Sequence, residues 1–435
     1  MNRTSRRRLC LWWILIPLLC NVLAGCSSIP GTQAPDPDVA ASSVERDLAP
    51  EVPAADLAAL VDGGVAFAFD LYHALRGSGD NVFLSPLSVS YALAMTSAGA
   101  RTRTLDQMEE VLRFPLDQAA LHPAFNALDL ELATRAELPE DDAGDGFALI
   151  LVNSTWAQKD YPFLQPFLDT LGENYGAGVR LVDYRADPET ARVAINGWVS
   201  DQTEGKIEEL LPEGMVTADD RLTLVNAVYF LAPWAFPFDE RLTVDAPFHL
   251  MDGSTVDVPT MQQTESFAYA QGDGYQAIEL PYNGNQLAMT IILPAPGRFE
   301  EIEASLSPWF LANLVAAFRP QLIHLALPRF SFEWEEELSE TLSAMGMTDA
   351  FTPAAADFSG MDGTRELVIG YVMHKAFVSV HEEGTEAAAA TAVGMRMTAA
   401  PGTPIDLRVN RAFVFLLRDL ETGALLFLGR VMDPA

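Results

Sequence analysis

Cysteine is scarce in this chain: of its 435 residues only Cys10, Cys20 and Cys26 are cysteines, all near the amino terminus. From residue 27 onward there is no disulfide, no thiol nucleophile and no cysteine metal site. Positive charge is scarce as well, with 27 basic against 60 acidic residues and only three lysines, Lys159, Lys206 and Lys375. Such acidity disfavours nucleic acid and anionic lipid as partners. A basic partner or a saline habitat would each suit it, and a merely solvated acidic surface is the simpler explanation. Catalytic patterns are missing too: there is no Gly-x-Ser-x-Gly, no phosphate loop and no dinucleotide fingerprint. His381-Glu382-Glu383-Gly384-Thr385 opens like a zinc-peptidase helix but lacks the second histidine four residues on, and the six histidines are dispersed. No metal or other cofactor is expected. No repeat period points to a solenoid.

What is present begins with an export signal over residues 1–25. Arg3, Arg6, Arg7 and Arg8 precede an apolar run from Leu9 to Leu23, too short for a membrane span and interrupted by Pro17 and Asn21. The run closes on Leu23-Ala24-Gly25-Cys26, which resembles a bacterial lipobox and makes Cys26 the expected lipidation site. The alternative is an ordinary secretory signal cut nearby. Loss of this leader removes four arginines and no acid, leaving 23 basic and 60 acidic residues, a net charge of −37. Residues 26–55 carry Pro30, Gly31, Pro35, Pro37, Pro50 and Pro53 without a sustained apolar period, and read as a flexible tether. Residues 56–435 show no comparable break and read as one large domain. Within it Glu140–Gly146, just after Pro139, is expected to be an acidic loop.

Helical spacing predicts helices over Phe67–Leu75 and Tyr91–Leu112. Apolar or alternating runs predict strands over Phe147–Val152, Leu222–Phe230, Gln286–Leu293, Gln321–Leu327, Tyr371–Val380 and Phe413–Leu417. His374, inside such a run, reads more readily as a buried hydrogen-bonding residue than as a catalytic base. The most unusual segment runs from Glu382 to Gly394 and on to Pro404. Its alanines suit a helix. Laid out as a strand, it places Thr385, Ala387, Ala389, Thr391 and Val393 on one small-residue face, with Glu386 on the other. Such a stretch could enter a sheet without a large side chain to bury or a proline to block pairing as far as Gly394. The remainder, through Pro401, Gly402 and Pro404, reads as exposed loop.

Several motifs, in order along the domain, resemble the serpin family. They are Asn81-Val82-Phe83-Leu84-Ser85-Pro86-Leu87-Ser88-Val89, Gln202–Ile207, Asn226–Phe230 with Trp234, Leu327-Pro328-Arg329-Phe330, His374-Lys375-Ala376, Glu382-x-Gly384-Thr385-Glu386-Ala387-Ala388 and Phe427–Val431. The resemblance implies a mixed α+β fold of three β-sheets and about nine helices with an exposed reactive loop. It implies an irreversible inhibitor, not an enzyme: a peptidase cuts the loop, an acyl-enzyme forms, and the cut loop inserts as a new strand.

The resemblance also assigns roles. Glu382, Gly384, Thr385, Glu386, Ala387, Ala388, Ala389 and Ala390 would form the hinge of the loop. Ser85, Ser88, Asn226 and His374 would form a shutter beneath the strands that part. Arg329, Glu382 and Trp234 would meet at the breach where the sheet opens. Counting from Glu382 places the cut at Thr398–Ala399, while counting back from Val409–Phe413 lands near Pro401; Met397–Thr398 and Arg396–Met397 are alternatives. Cleavage after Arg396 suits a trypsin-like target, and cleavage after Met397 or Thr398 an elastase-like or subtilisin-like one, which is preferred. Ala412 stands where the family often has proline. The expected partner is a serine peptidase, with a cysteine peptidase as the alternative, met by a monomer held on a membrane by its lipid. Ser27 after Cys26 favours the outer membrane, on its periplasmic face or at the cell surface. A noninhibitory binding protein or chaperone of the same fold is the second reading, and a lipoprotein hydrolase a distant third.

Overall fold

Helix α1 (Ala54–Leu75) follows directly on Pro53 and is more than twice as long as the spacing predicts. Gly63 and Gly64 interrupt its apolar pattern, and packing supplies what propensity does not: Leu60, Val61, Val65 and Phe67 are all buried. The single helix expected over Tyr91–Leu112 is instead two, α2 (Pro86–Ser97) and α3 (Thr102–Val111). The break falls at Gly99, where a β-carbon would lie 2.1 Å from the Met361 side chain, and Arg101 N–H then bonds the Asp357 carbonyl at 2.8 Å. Every residue of α2 is buried, so it has no polar face for a periodicity search to find. Three further helices matter below: α4 (Gln118–Ala133), α5 (Gln165–Tyr175) and α6 (Pro188–Gln202). The computed structural model describes residues 39–137, 148–203, 205–385 and 403–435, and contains ten α-helices among them. The acidic stretch Glu140–Gly146 and Cys26 lie outside the described residues.

One sheet has seven strands in the order β1 (Val39–Ala40), β4 (Val179–Val182), β3 (Ala148–Gln158), β5 (Leu222–Pro233), β13 (Gly384–Thr385), β12 (Tyr371–Val380) and β11 (Phe330–Glu337). A nine-stranded network follows the order β14 (Ile405–Arg408), β10 (Arg319–Pro328), β7 (Thr255–Gly272), β8 (Tyr275–Pro281), β9 (Leu287–Pro294), β15 (Phe413–Asp419), β16 (Leu425–Val431) and β2 (Val82–Leu84), with β6 (Val244–His249) on β7. The 18-residue β7 serves two wings: β6 and β10 pair along Thr255–Tyr269, and β8 takes over at Ala268–Gly272. The wings together with the seven-stranded sheet account for the three sheets expected. β12 was legible to the residue, and β11 was not foreseen although Phe330, Phe332 and Trp334 alternate with exposed Ser331, Glu333 and Glu335.

A core of aromatic and aliphatic side chains fills the space between the sheets, with Phe83 stacked on Phe427 at 4.8 Å and on Phe415 at 5.6 Å. A second, smaller core lies on the other face of the seven-stranded sheet. There α6 and the following segment cover it, Ile195, Val199, Leu210 and Leu211 packing on Val225 and Met373. The lower half of that sheet is therefore buried on both faces. The expected tether also differs from its reading: Val39–Ala40 pairs with β4, Arg46 bonds Asn126 and Asp129 of α4, and Asp47 N–H bonds the Glu173 carbonyl of α5. Free backbone groups on the edge strand β4, and an arginine facing an acid, outweigh the proline-rich composition.

Candidate functional site

Strands β5 and β12 run parallel and pair directly from Thr223↔Tyr371 to Tyr229↔Phe377. Above this point they part, and β13 stands between them, antiparallel to both: Gly384 faces Pro233, and Thr385 faces Ala232 on one side and Val380 on the other. β13 is reached by a tight turn after Val380 in which His381 N–H bonds the Gly384 carbonyl at 3.0 Å. Glycine is required at 384 because a β-carbon would sit 2.2 Å from the Ala232 carbonyl oxygen and 2.7 Å from the Pro233 Cα. The parting of two strands and the entry of a third at their top form the geometric centre of the site.

The turn is held by groups that the sequence places far apart. Glu382 is 2% exposed, and its carboxylate accepts from Arg329 Nε at 2.9 Å, from Arg329 Nη2 at 2.6 Å and from Thr243 Oγ1. Burial pushes this carboxyl up, but the bonds from Arg329 and Thr243 outweigh burial and hold it below the usual range. Trp234 secures the same turn twice, its backbone N–H bonding the Glu383 carbonyl at 2.8 Å and its indole Nε1–H the His381 carbonyl at 3.0 Å. Phe238 N–H bonds the Glu382 carbonyl. Arg329, Glu382 and Trp234, expected together at a breach, do converge here. Two participants were missed, Thr243 and Tyr282. Tyr282 stacks on Trp234 at 4.6 Å and shares a 2.7 Å hydrogen bond with Thr385 Oγ1. The Asn-Gly pair after Tyr282 announces a hairpin, but no sequence signal joins this tyrosine to a residue 103 positions on.

Lower in the same strands lies a buried polar cluster. His374 of β12 stands beside Asn226 of β5 in register, both fully buried. The histidine Nδ1 donates to Asn226 Oδ1, and its Nε2 accepts from Ser85 N–H at 3.0 Å. These partners select the neutral Nδ1–H tautomer, and burial pushes the imidazole down to about 3. Asn226 Nδ2 donates to Asn153 Oδ1 and Ser88 Oγ, Ser88 Oγ donates to Asn153 Oδ1 at 3.0 Å, and Ser85 Oγ donates to the Leu426 carbonyl at 2.8 Å. Ser85 also caps α2, with Pro86 at its first position. All four expected shutter residues are brought together, and Asn153 of β3 is a fifth that was missed. Both ring nitrogens are thus engaged, one by an amide oxygen and one by a backbone N–H, and the Ser85 and Ser88 hydroxyls are turned to other partners. The cluster joins β5 to β12 below the point where β13 stands between them.

The other expected hinge residues, Glu386, Ala387, Ala388, Ala389 and Ala390, and the cleavage candidates Arg396, Met397, Thr398 and Ala399, lie outside the described residues. Among the described residues no group of three or more histidine, cysteine, aspartate or glutamate side chains could hold a metal ion.

Comparison with known proteins agrees with this architecture. The profile of the family described as serpin (serine protease inhibitor) matches residues 63–434. An uncharacterised serpin-like protein of Thermococcus kodakarensis is 41% identical over 371 residues, covering 85% of this chain and 84% of that protein. The leukocyte elastase inhibitor of Equus caballus is 38% identical, covering 85% and 97%. The crystal structure of tengpin, a thermophilic serpin in its native state, superposes with a TM-score of 0.78 at 27% identity, covering 90% of this chain and 97% of tengpin. With its parted strands, its entering hinge and a family profile spanning nearly the whole domain, the chain belongs to the serpin family.

Proposed function

We propose that the protein is an irreversible peptidase inhibitor whose loop, between Glu386 and about Pro404, is cut by a target peptidase and then inserts between β5 and β12. The observation that carries this reading is the position of Gly384–Thr385, already seated between those strands and antiparallel to both. If the inserted loop kept that register, Ala387 would come opposite Phe230 and Val378, Ala389 opposite Val228 and Ala376, and Thr391 between Asn226 and His374. Inward positions 387, 389, 391 and 393 would then meet the main core, where only small or β-branched side chains fit. Outward positions differ with depth. Glu386 would face water, whereas Ala392 and Gly394 would lie beside Val225 with Met373 and Thr223 with Tyr371, under the α6 layer. Small side chains are thus needed on both faces of the lower half. Insertion would replace the direct His374–Asn226 contact and complete the sheet, which supplies the driving force for trapping an acyl-enzyme.

The similarity to leukocyte elastase inhibitors supports an elastase-like serine peptidase as target, with Thr398–Ala399 the preferred bond and Met397–Thr398 or Arg396–Met397 the alternatives. The lipobox-like Leu23–Cys26 supports display from a membrane through a lipid on Cys26. Incubation with a panel of serine peptidases, followed by denaturing electrophoresis and mass spectrometry of the released fragment, tests the reading. Covalent complexes that survive denaturant are expected, and Thr385→Arg should turn the inhibitor into a substrate. Clean cleavage without complexes by every peptidase would instead favour a noninhibitory binding protein.

A further inference from the structure

Thr385 is 1% exposed, and its hydroxyl shares a hydrogen bond with Tyr282, which stands outside the seven-stranded sheet. Tyr282 is equally buried, lies flat against Trp234 with ring planes 8° apart, and is fixed at the β8–β9 hairpin by its N–H bond to the Leu287 carbonyl at 2.9 Å. Trp234 in turn holds the turn that delivers Thr385, from both sides of Glu382. Of the stacked pair, Trp234 therefore secures the approach and Tyr282 receives the first inserted side chain.

We propose that Tyr282, backed by Trp234, is a latch that seats Thr385 in the sheet before any cleavage, and that its hydroxyl is a positioning group for loop insertion. The proposal rests on the inhibitor reading and adds to it a residue that sets the outcome after the loop is cut. Once the acyl-enzyme forms, insertion competes with hydrolysis of the acyl bond. A loop whose first residue is already bonded in place starts that race without having to form a nucleus between the strands. Losing the hydroxyl leaves the Thr385 side chain buried without its partner, and insertion should slow about fivefold, the equivalent of one ordinary hydrogen bond. The first encounter with the peptidase, which reads residues far along the loop, should be unaffected.

The test uses Tyr282→Phe, which keeps the ring stack, Thr385→Val, which keeps the shape, and the pair combined. Each is titrated against a peptidase that the wild-type protein traps. The inhibitor consumed per peptidase inactivated, in excess of one, should rise about fivefold in either single variant. The rate of loop cleavage should stay at the wild-type value, and the combined variant should be no worse than the worse single, because both ends of one bond have been removed. Amide exchange at Gly384 and Thr385, which needs no peptidase, should accelerate in Tyr282→Phe. Unchanged stoichiometry in both single variants overturns the proposal, as does faster exchange without a change in stoichiometry. If the wild-type protein traps no peptidase, the inhibitor reading fails by itself, and the exchange measurement still decides whether the latch exists: unchanged exchange would overturn it as well.

Discussion

Mild acid should loosen this protein through His374. The imidazole is fully buried, its two nitrogens are engaged by Asn226 Oδ1 and Ser85 N–H, and Trp334 packs edge-on at 5.8 Å. The acid opposite it in register, Glu336 on β11, is itself pushed towards its neutral form, by burial first and by the nearby Glu337 second. Because burial lowers the folded value to about 3 while the unfolded chain titrates near 6.5, the unfolded state binds the extra proton between those values. The contribution is complete above pH ~6.5 and is lost as the pH falls towards 3. At pH 5 the loss amounts to about 2 kcal/mol, from ~1.5 pH units at ~1.36 kcal/mol each. The assay is the midpoint of the first urea transition between pH 7.5 and 5.0, for the wild-type protein and His374→Gln. The variant should be weaker at every pH but should lose about 2 kcal/mol less across the range. His122, which burial lowers to about 4, titrates in both proteins and cancels in the comparison. Equal losses in the two proteins would refute the reasoning, since the shutter would then not be holding a neutral imidazole against protonation.

Adjacent glycines in α1 should respond oppositely to alanine. At Gly64 a β-carbon meets nothing within 4 Å, so Gly64→Ala should stabilise by about 1 kcal/mol through helix propensity, whereas at Gly63 it would lie 2.3 Å from the Arg113 carbonyl and Gly63→Ala should destabilise by about 1–3 kcal/mol. Thermal unfolding of both variants checks the pair. Arg329→Ala leaves the buried Glu382 carboxylate with Thr243 as its remaining side-chain donor; since Arg329 is 40% exposed, the expected cost is about 1–2 kcal/mol, read from urea midpoints, and Glu382→Gln in the same background should recover part of it. Arg46→Ala, which releases the amino-terminal segment from Asn126 and Asp129, should lower the melting temperature and expose residues 39–51 to limited proteolysis; an unchanged digestion pattern would show that β1 and the bonds of Ser42 and Asp47 pin them without the arginine.

Local patterns made some parts of this fold legible. The run Tyr371–Val380 is apolar, β-branched and bounded by a polar turn, and it is a strand over those residues. Ser85-Pro86 is a helix start by cap and by proline, and α2 begins there. Other parts were hidden because their determinants are not local. α2 and α3 merge in the sequence since nothing near Gly99 announces the Met361 side chain that occupies the space of a β-carbon. Residues 39–51 read as tether by composition, yet an open strand edge and two acids of the domain hold them. At the site, ordered motifs named Ser85, Ser88, Asn226, His374, Arg329, Glu382 and Trp234, while Tyr282, Thr243 and Asn153 stand in segments with no motif of their own.

By itself the sequence determined what is written locally: the lack of the familiar catalytic motifs, the serpin motifs in order, and an expected hinge whose alternation of small residues suits a strand. Backbone and side-chain preferences act over a few residues, and these features are written at that range. Only the tertiary structure decided where the hinge goes. Val380 and Ala232 lie almost 150 positions apart in the chain, yet the space between them admits Gly384 and Thr385 and nothing larger at 384, and the hydroxyl that receives Thr385 comes from a third, distant hairpin. That arrangement depends on two sheets packing face to face, which no stretch of sequence specifies alone.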